Sequence, residues 1–362
     1  METKIVYING RFLTQKITGV QRYAIELLKE LDKKIGELSR KKYKVILFTP
    51  KKNIINNVEF NSIEIRKIGL LSGHLWEQLE LPFYCRKGIL INLCNVSPLL
   101  KRNQIITIHD IAIYTPYNNL SFLFKLWYKM NYSIFNSRFL KIITVSNYSA
   151  SEMLKYGLFE ENKIEVTVEG REHILSLKPD NSVLKKHSIG NKPYFLAVSS
   201  MNPNKNFIGI VNALNNIKDN HVDVVIVGGT NNKVFKNENI NFPSNVKKIG
   251  YINDNELKSL YENALGFLYP SLYEGFGLPP LEAMALGCPV IVSNRSSLPE
   301  VCGDAALYCD PKDSVDISDK MKLLINDTDL RLSLEKKGLE RSKLYSWAKA
   351  AEQTLDIIKG IY

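Results

Sequence analysis

The sequence predicts an α/β protein with two doubly wound parallel-sheet domains that face each other across a cleft. Its 362 residues, of which 45% are hydrophobic, exceed one ordinary core and suit two domains of about 150 to 200 residues each. Short apolar runs alternate with amphipathic segments, which is typical of parallel βαβ units. The alternation comes in two series, and the polar stretch at 177–193 between them resembles a linker.

The first series predicts a domain over residues 1–180. Its expected strands are KIVYIN, YKVILFT, IITIHD and KIITVS, and its first helix is GVQRYAIELLKEL. The second series predicts a domain over residues 190–344, with the expected strands YFLAVSS, VDVVIVGG, KKIGYI, GFLYPS and PVIVSN. Ligands of such sheets bind at the carboxyl ends of the strands, so the residues that follow each strand are the candidates for function.

The basic excess lies almost entirely in the first half of the chain. Residues 1–180 hold 27 Lys and Arg against 17 Asp and Glu, whereas the remainder holds 21 against 20. Such a half could face nucleic acid, an anionic membrane or a phosphorylated substrate, or could simply be a lysine-rich solvated surface. A nucleic-acid binder is not expected, because the sequence has no RNP motif or zinc finger.

The sequence predicts a cytoplasmic protein. No stretch reaches the roughly 18 uncharged apolar residues of a spanning helix, and the first residues, METKIVYING, lack the pattern of a secretory signal. The five cysteines form no CxxC pair, so they indicate reduced core residues and neither a disulfide framework nor a zinc site.

The segment SLYEGFGLPPLEAMALGCPVIVSN, residues 271–294, predicts a phosphate cradle between two carboxylates. A strand leads into a glycine loop, and the next helix begins near Pro280. Glycines let the backbone approach a ligand, and the free amides of a helix start attract an anion. Glu274 precedes the cradle and Glu282 follows it, so hydroxyl groups on both sides of a diphosphate could donate to them. A ligand of the form sugar, diphosphate, ribose fits that order.

This segment resembles the Glu-x7-Glu motif of retaining GT-B glycosyltransferases, in particular glycosyltransferase family 4. Co-ordered resemblances extend over almost the whole chain and are more specific than one motif. They are TGVQRY at 18–23, IHD at 108–110, TVSNYS at 144–149, NPNKN at 202–206 and SSLPEVCGDAALYCDP at 296–311. The resemblance implies the GT-B fold, with an acceptor-binding domain first, a nucleotide-sugar domain second, and a final helix at 345–362 that crosses back.

The resemblance also implies roles for the residues of the cradle. Glu274 would bind hydroxyls of the transferred sugar, and backbone amides nearby would come from Phe276, Gly277 and Leu278. Glu282 would hold the ribose diol, although an acidic residue in the first turn of a helix also stabilises that helix. The alternative for Glu274 is a surface carboxylate of a loop.

Three further residues outside the cradle are implicated. Lys205 follows the strand YFLAVSS and would neutralise the diphosphate as charge builds on the leaving group; its alternative is a solvated loop lysine. Many relatives place an arginine a few residues before this lysine, whereas this chain has SMNPN at 200–204. His109 would help to position the donor sugar, or is a buried, hydrogen-bonded histidine. Gly19 could bring backbone amides to the diphosphate, or is an ordinary helix-start glycine.

Two weaker patterns are interpreted without a role in catalysis. VGGT at 227–230 is a weak candidate for ligand contact. In SNYSASE, Ser149 precedes Glu152 by three residues and predicts a capping box.

The resemblance implies retention of the donor's anomeric configuration without a metal or another cofactor, because Lys205 and helix amides supply the positive charge. Residues 120–141 interleave aromatic residues with Lys125, Lys129, Arg138 and Lys141, and this pattern is typical of interfacial helices. The alternative is a packed amphipathic helix with a basic solvent face. Together with the basic half, the segment predicts a peripheral protein on the anionic inner-membrane surface. Its acceptor would be a glycan, or an undecaprenyl-diphosphate-linked one, in O-antigen or capsule assembly.

Two other functions share the fold. A GT-B nucleotide-sugar epimerase would use the same donor without an acceptor, but its carboxylates would not follow the Glu-x7-Glu arrangement. A catalytically inactive sugar-nucleotide-binding subunit is disfavoured by the presence of Glu274, Lys205 and Glu282. The expected transferred hexose is mannose, from GDP-mannose.

Overall fold

The computed structural model describes residues 3–38, 43–117, 122–198, 202–217, 221–228 and 243–362. The chain divides into two compact units. The first comprises Met1–Ile113, Leu120–Gly170 and Ser346–Tyr362, and the second comprises Tyr114–Asn119 and Arg171–Tyr345. Parts of three patterns discussed above lie outside the described residues: 199–201 after the strand YFLAV, 229–230 of VGGT, and 120–121 of the aromatic and basic segment.

The first unit is built on a parallel sheet of seven strands in the order β3-β2-β1-β4-β5-β6-β7. The strands are β1 Lys4–Asn9, β2 Tyr43–Pro50, β3 Glu64–Ile68, β4 Ile89–Asn92, β5 Gln104–Thr107, β6 Phe139–Thr144 and β7 Ile164–Val166. Four of them are the expected strands. β3 is not predicted from the sequence, because it is an exposed edge strand with the sequence EIRKI. β4 is not predicted either, because ILIN is only four residues long.

Helices of the first unit connect these strands and include the C-terminal helix of the chain. They are Gly19–Leu38, Phe122–Phe135, Asn147–Lys155 and Trp347–Ile361, and a helical segment from Gly73 to Tyr84 has a π-helical middle at Trp76–Glu80. The C-terminal helix packs against Gly19–Leu38. Its Trp347 is 1% exposed and meets the ring of Tyr23 at 5.8 Å, so an apolar contact fixes the chain end within this unit.

The second unit contains a parallel sheet of six strands in the order β10-β9-β8-β11-β12-β13. The strands are β8 Tyr194–Val198, β9 Asp223–Val227, β10 Val246–Gly250, β11 Gly266–Tyr269, β12 Val290–Ser293 and β13 Ala306–Cys309. Its described helices are Glu172–Leu175, Ser182–Lys186, Phe207–Asn215, Asp254–Asn263, Leu278–Ala285, Leu298–Cys302, Ser314–Asn326 and Thr328–Ser342. Buried branched and aromatic residues of the strands and flanking helices form one core cluster, as expected of strands covered on both faces.

The polar stretch expected to be a linker is part of the second unit. It contains the helix Ser182–Lys186, and Asn181 accepts a hydrogen bond from Ser259 at 2.6 Å. At its start, Lys258 donates to the carbonyl groups of Leu177 and of the preceding Leu175, both at 2.9 Å. A polar sequence is therefore held here by side-chain hydrogen bonds, which composition does not reveal.

Within the described residues, no helix combines the length and the hydropathy needed to cross a lipid bilayer. All five cysteines are free thiols, and four of them are buried.

Candidate active site

The candidate site of the second unit lies where its strand order reverses. The chain runs from β8 outwards to β9 and β10, and later returns to the other side of β8 with β11. The loops after β8 and β11 therefore leave the sheet in opposite directions and open a crevice, which is the general ligand position in such folds. Lys205 follows β8, and Glu274 follows β11.

Lys205 and Glu274 form a close, largely buried ion pair. The Lys205 ammonium lies 2.6 Å from Oε1 and 2.9 Å from Oε2 of Glu274, and it donates to the Tyr269 hydroxyl at 3.0 Å. The two side chains are 16% and 10% exposed. Burial opposes the charge on Lys205, but Glu274 and Tyr269 outweigh it and raise the pKa of the ammonium above its ordinary value. Lys205 is therefore a fixed positive charge and is not a solvated loop lysine.

Two asparagines hold the loop of Lys205 against the loop of Glu274. Asn204 accepts from the backbone amide of Leu272 at 2.7 Å and donates to the carbonyl of Tyr273 at 3.2 Å. Asn206 adopts a left-handed conformation, donates to the carbonyl groups of Pro270 and Pro311, and caps the helix Phe207–Asn215. The side chain of Asn206 both donates to carbonyl groups and accepts from the amide of Gly209 at 3.2 Å, and a cationic side chain at this position could not accept.

Gly277 and the helix after it form the predicted cradle. Gly277 has φ of 115°, and a β-carbon there would lie 2.7 Å from a methyl carbon of Leu298, so both conformation and packing require glycine. The helix Leu278–Ala285 begins immediately afterwards. Its second and third residues, Pro279 and Pro280, have no N–H, and the Leu281 amide donates to the Gly277 carbonyl at 3.2 Å, so Leu278 supplies the helix-start amide that can face a ligand. Phe276 is buried, and its carbonyl accepts from Ser297 at 2.7 Å.

Glu282 lies in the second turn of this helix and is held from two sides. The helix starts at Leu278 and has no acidic residue in its first turn, so the expectation that Glu282 stabilises a first turn is wrong. Its Oε1 lies 2.8 Å from Nε2 of His173, and its Oε2 accepts from the Tyr261 hydroxyl at 3.1 Å. Burial, followed by the charge of Glu282, raises the pKa of Tyr261 well above its ordinary value, which keeps this hydroxyl protonated as a donor.

His173, Tyr261 and Tyr269 are site residues that the sequence patterns did not indicate. Tyr261 lies inside the helix Asp254–Asn263 and Tyr269 ends β11, where a tyrosine cannot be told from a core residue by periodicity. His173 lies in the short helix Glu172–Leu175, and only the tertiary structure brings it to Glu282. A histidine close after the strand-like sequence VTVEG was the one available signal.

His109 lies in the first unit, close after β5, and is surrounded by partners from that unit. Its Nε2 lies 3.0 Å from the carbonyl of Leu93 and its Nδ1 lies 3.6 Å from Glu169. The ring of Tyr23 meets it edge-on at 4.7 Å. Because a carbonyl can only accept, Nε2 carries a proton. Its environment is that of a buried, hydrogen-bonded histidine, and Glu169 is a neighbour that the sequence did not indicate.

The helix Asn147–Lys155 supports the backbone of His109. Ser146 is its N-cap and accepts from the amide of Ser149 at 3.0 Å, so the capping box expected from Ser149 and Glu152 is wrong by three residues. Ser149 lies inside the first turn, and its hydroxyl donates to the carbonyl of His109 at 3.2 Å.

Gly19 is the first residue of the helix Gly19–Leu38. A β-carbon at this position would have no heavy atom within 4 Å, so packing within the described chain does not require glycine here.

The two sheets and the site define the class of protein. Each sheet is parallel and reverses its strand order, and the second carries a cation and two carboxylates at the crevice; this is the GT-B glycosyltransferase architecture. Sucrose-phosphate synthase of Thermosynechococcus elongatus has the same fold, with a TM-score of 0.76 at 18% identity over 99% of both chains. Anabaena HepE, solved with UDP and glucose, gives 0.71 at 16% identity over 99% of this chain and all of its own.

The chain belongs to the glycosyl transferases group 1, whose family pattern matches residues 180–341. It is 32% identical to the O-antigen chain mannosyltransferase B of Escherichia coli over 270 residues, which are 70% of each protein. The matched family region contains Lys205, Glu274 and Glu282, whereas His173 precedes it. The protein is therefore a glycosyltransferase.

Proposed function

We propose that the protein is a retaining hexosyltransferase that moves mannose from GDP-mannose to a lipid-linked or polysaccharide glycan during assembly of a bacterial surface polysaccharide such as O-antigen. The main support for a donor site is the buried ion pair of Lys205 and Glu274, beside a helix whose N-cap is Gly277. The choice of mannose and O-antigen is supported by the name of the Escherichia coli relative. The use of a nucleotide sugar is supported by the UDP bound to Anabaena HepE.

Each residue of the crevice has a separate task in this proposal. The Lys205 ammonium and the backbone amides of residues 276–278 receive the diphosphate and stabilise its charge as the glycosidic bond breaks. Glu274 accepts hydrogen bonds from hydroxyls of the transferred sugar, and Glu282 accepts them from the ribose diol. In the first unit, His109 positions the sugar and Gly19 admits the diphosphate. The leaving phosphate takes the acceptor proton, so that no further protein base is required.

The pairing of Lys205 with Glu274 prepares both groups for the donor. A buried ammonium or carboxylate without a partner is unfavourable, and each compensates the other before a ligand arrives. The carboxylate also holds the Lys205 ammonium in place, so this positive charge does not have to move when the diphosphate binds. Burial and then Glu274 raise the pKa of Tyr269, so its hydroxyl stays neutral while it accepts a hydrogen bond from the Lys205 ammonium at 3.0 Å.

The proposal is tested with a panel of nucleotide sugars that covers GDP, UDP and ADP donors. We expect hydrolysis or transfer with GDP-mannose to exceed that with every other donor, and a retained α configuration in the product. Epimerisation of the donor without transfer would favour the epimerase alternative. Tight binding of a donor without any turnover would favour the inactive subunit.

Activity is expected to be independent of divalent metals, because Lys205 and the backbone amides of residues 276–278 supply the positive charge that a metal would otherwise provide. Transfer rates should be equal after EDTA treatment and after addition of Mg²⁺ or Mn²⁺. A rate that disappears with EDTA and returns only with a metal would contradict this expectation.

Peripheral attachment to an anionic membrane is the second part of the proposal. It is supported by the basic excess of residues 1–180 and by the relative's role on a surface glycan. Exposed basic side chains are attracted to anionic headgroups, and salt screens that attraction. In vesicle flotation, we expect recovery with anionic lipids to fall as the salt concentration rises. Equal recovery with neutral and anionic vesicles at low salt would contradict it.

A further inference from the structure

The helical segment Gly73–Tyr84 of the first unit presents a row of apolar side chains to solvent. Leu75, Leu79 and Phe83 are 61%, 50% and 59% exposed. They recur at intervals of four residues, so they lie along one side of the helical segment. The opposite side carries Trp76 and Leu81, which are fully buried in a core cluster. The segment is therefore anchored on one side and apolar on its free side.

The turn before this segment exposes a further leucine, Leu70, and hydrogen bonds to a side chain hold the backbone of that turn in place. Leu70 is 75% exposed, yet its backbone amide donates to both oxygens of Glu80, at 2.9 and 3.0 Å, and the amide of Leu71 donates to Oε2 at 3.0 Å. Gly69 has φ of 76°. A carboxylate and a left-handed glycine turn thus fix the backbone of an exposed leucine, which random surface exposure does not require.

Basic side chains near this apolar row are exposed to solvent, whereas the nearby acidic side chains have partners within the protein. Arg86 lies over the ring of Phe83 at 5.2 Å, and Lys87 next to it is exposed. Of the six Lys and Arg at 65–102, Arg66 is paired with Glu64, Lys101 is buried, and the other four are exposed. Of the two acidic residues in this range, Glu77 is buried against Arg11 at 3.1 Å, and Glu80 accepts hydrogen bonds from the Leu70 turn. An apolar row bordered by arginine and lysine is complementary to a bilayer surface with anionic headgroups.

We propose that the segment Gly73–Tyr84, with the Leu70 turn, is the surface by which this protein docks onto an anionic lipid membrane. The apolar row enters the headgroup region while Arg86 and Lys87 contact lipid phosphates. This assigns the attachment to a different element from the helix Phe122–Phe135 that the aromatic and basic pattern indicated. The inference depends on the membrane attachment proposed above and does not depend on glycosyl transfer.

The test is co-sedimentation of the full chain with vesicles of phosphatidylcholine, with and without phosphatidylglycerol. We expect Leu75→Gln/Leu79→Gln to lower the partition coefficient on anionic vesicles about 100-fold, because two largely exposed leucines no longer enter the bilayer. Glutamine preserves helix propensity. Arg86→Gln/Lys87→Gln should lower binding to anionic vesicles and reduce its salt dependence.

Two controls make the result specific. Leu332→Gln changes a leucine of the second unit that is 58% exposed and should bind as the unaltered protein does. Leu126→Gln/Met130→Gln changes the exposed apolar pair of the helix Phe122–Phe135 and should also retain binding. Loss of binding confined to that pair would overturn the proposal, as would unchanged binding of Leu75→Gln/Leu79→Gln.

Two further outcomes distinguish this inference from others. Donor hydrolysis in solution should be unchanged in the Leu75 and Leu79 variant, so a failure of the proposed transferase activity would be seen separately in the unaltered protein. A dimer in analytical ultracentrifugation that dissociates in this variant, without vesicle binding by the unaltered chain, would identify a second copy as the occupant and overturn the membrane assignment.

Discussion

Replacing Glu274 by alanine or glutamine is expected to lower kcat by about 100-fold or more, equivalent to about 2.7 kcal/mol of transition-state stabilisation. In the proposed complex, the carboxylate contacts the transferred sugar, and the geometry of that sugar changes as the glycosidic bond breaks. It also holds the Lys205 ammonium at 2.6 Å, so its loss disturbs the cation that receives the leaving group. Steady-state kinetics with the identified donor measure the effect.

The alanine variant is also expected to be less stable, since it leaves a buried ammonium without its partner. Breaking such a pair costs about 3 kcal/mol, which thermal denaturation would detect. Glutamine preserves the shape and a hydrogen-bonding oxygen, so it separates catalysis from stability. Asp223→Asn is a matched control, because Asp223 is a buried carboxylate 2.8 Å from Lys247. It begins β9, so it lies at the amino end of a strand and away from the crevice at the carboxyl ends. Near-normal kcat in both Glu274 variants would show that the role assigned to this loop is wrong.

Replacing Glu282 by alanine is expected to raise the donor KM at least about tenfold with a smaller change in kcat, because the ribose does not change during the reaction. The hydrogen bonds from His173 and Tyr261 orient this carboxylate. Initial rates over a range of donor concentrations give KM and kcat separately.

Tyr261→Phe provides the graded control for this prediction. It keeps the carboxylate and the ring but removes one hydrogen bond, which is worth about 1 kcal/mol, so KM should rise in the same direction by a smaller factor. A variant at Glu282 that lowers kcat and leaves KM unchanged would mean that Glu282 acts on the reacting atoms and does not hold the ribose.

The sequence by itself determined the fold class and the chemical type of the site. Apolar runs separated by amphipathic segments specify a doubly wound sheet wherever the strands are buried on both faces, as in β8, β9, β11 and β12. The edge strand β3 lacks that pattern, because its exposed side chains are polar. Glu274, Gly277 and Lys205 could be predicted because each follows a recognisable strand or begins a helix, and local chain geometry places such residues at the crevice.

Only the tertiary structure decided which side chains complete the site and which surface remains apolar. His173 and Glu282 are 109 residues apart and Tyr261 lies in a different helix, so their contact depends on how helices pack over the sheet. The same holds for Leu75, Leu79 and Phe83, whose spacing fits a buried helix face equally well. Periodicity shows that residues share one side of a helix, but burial depends on what the rest of the chain brings to that side.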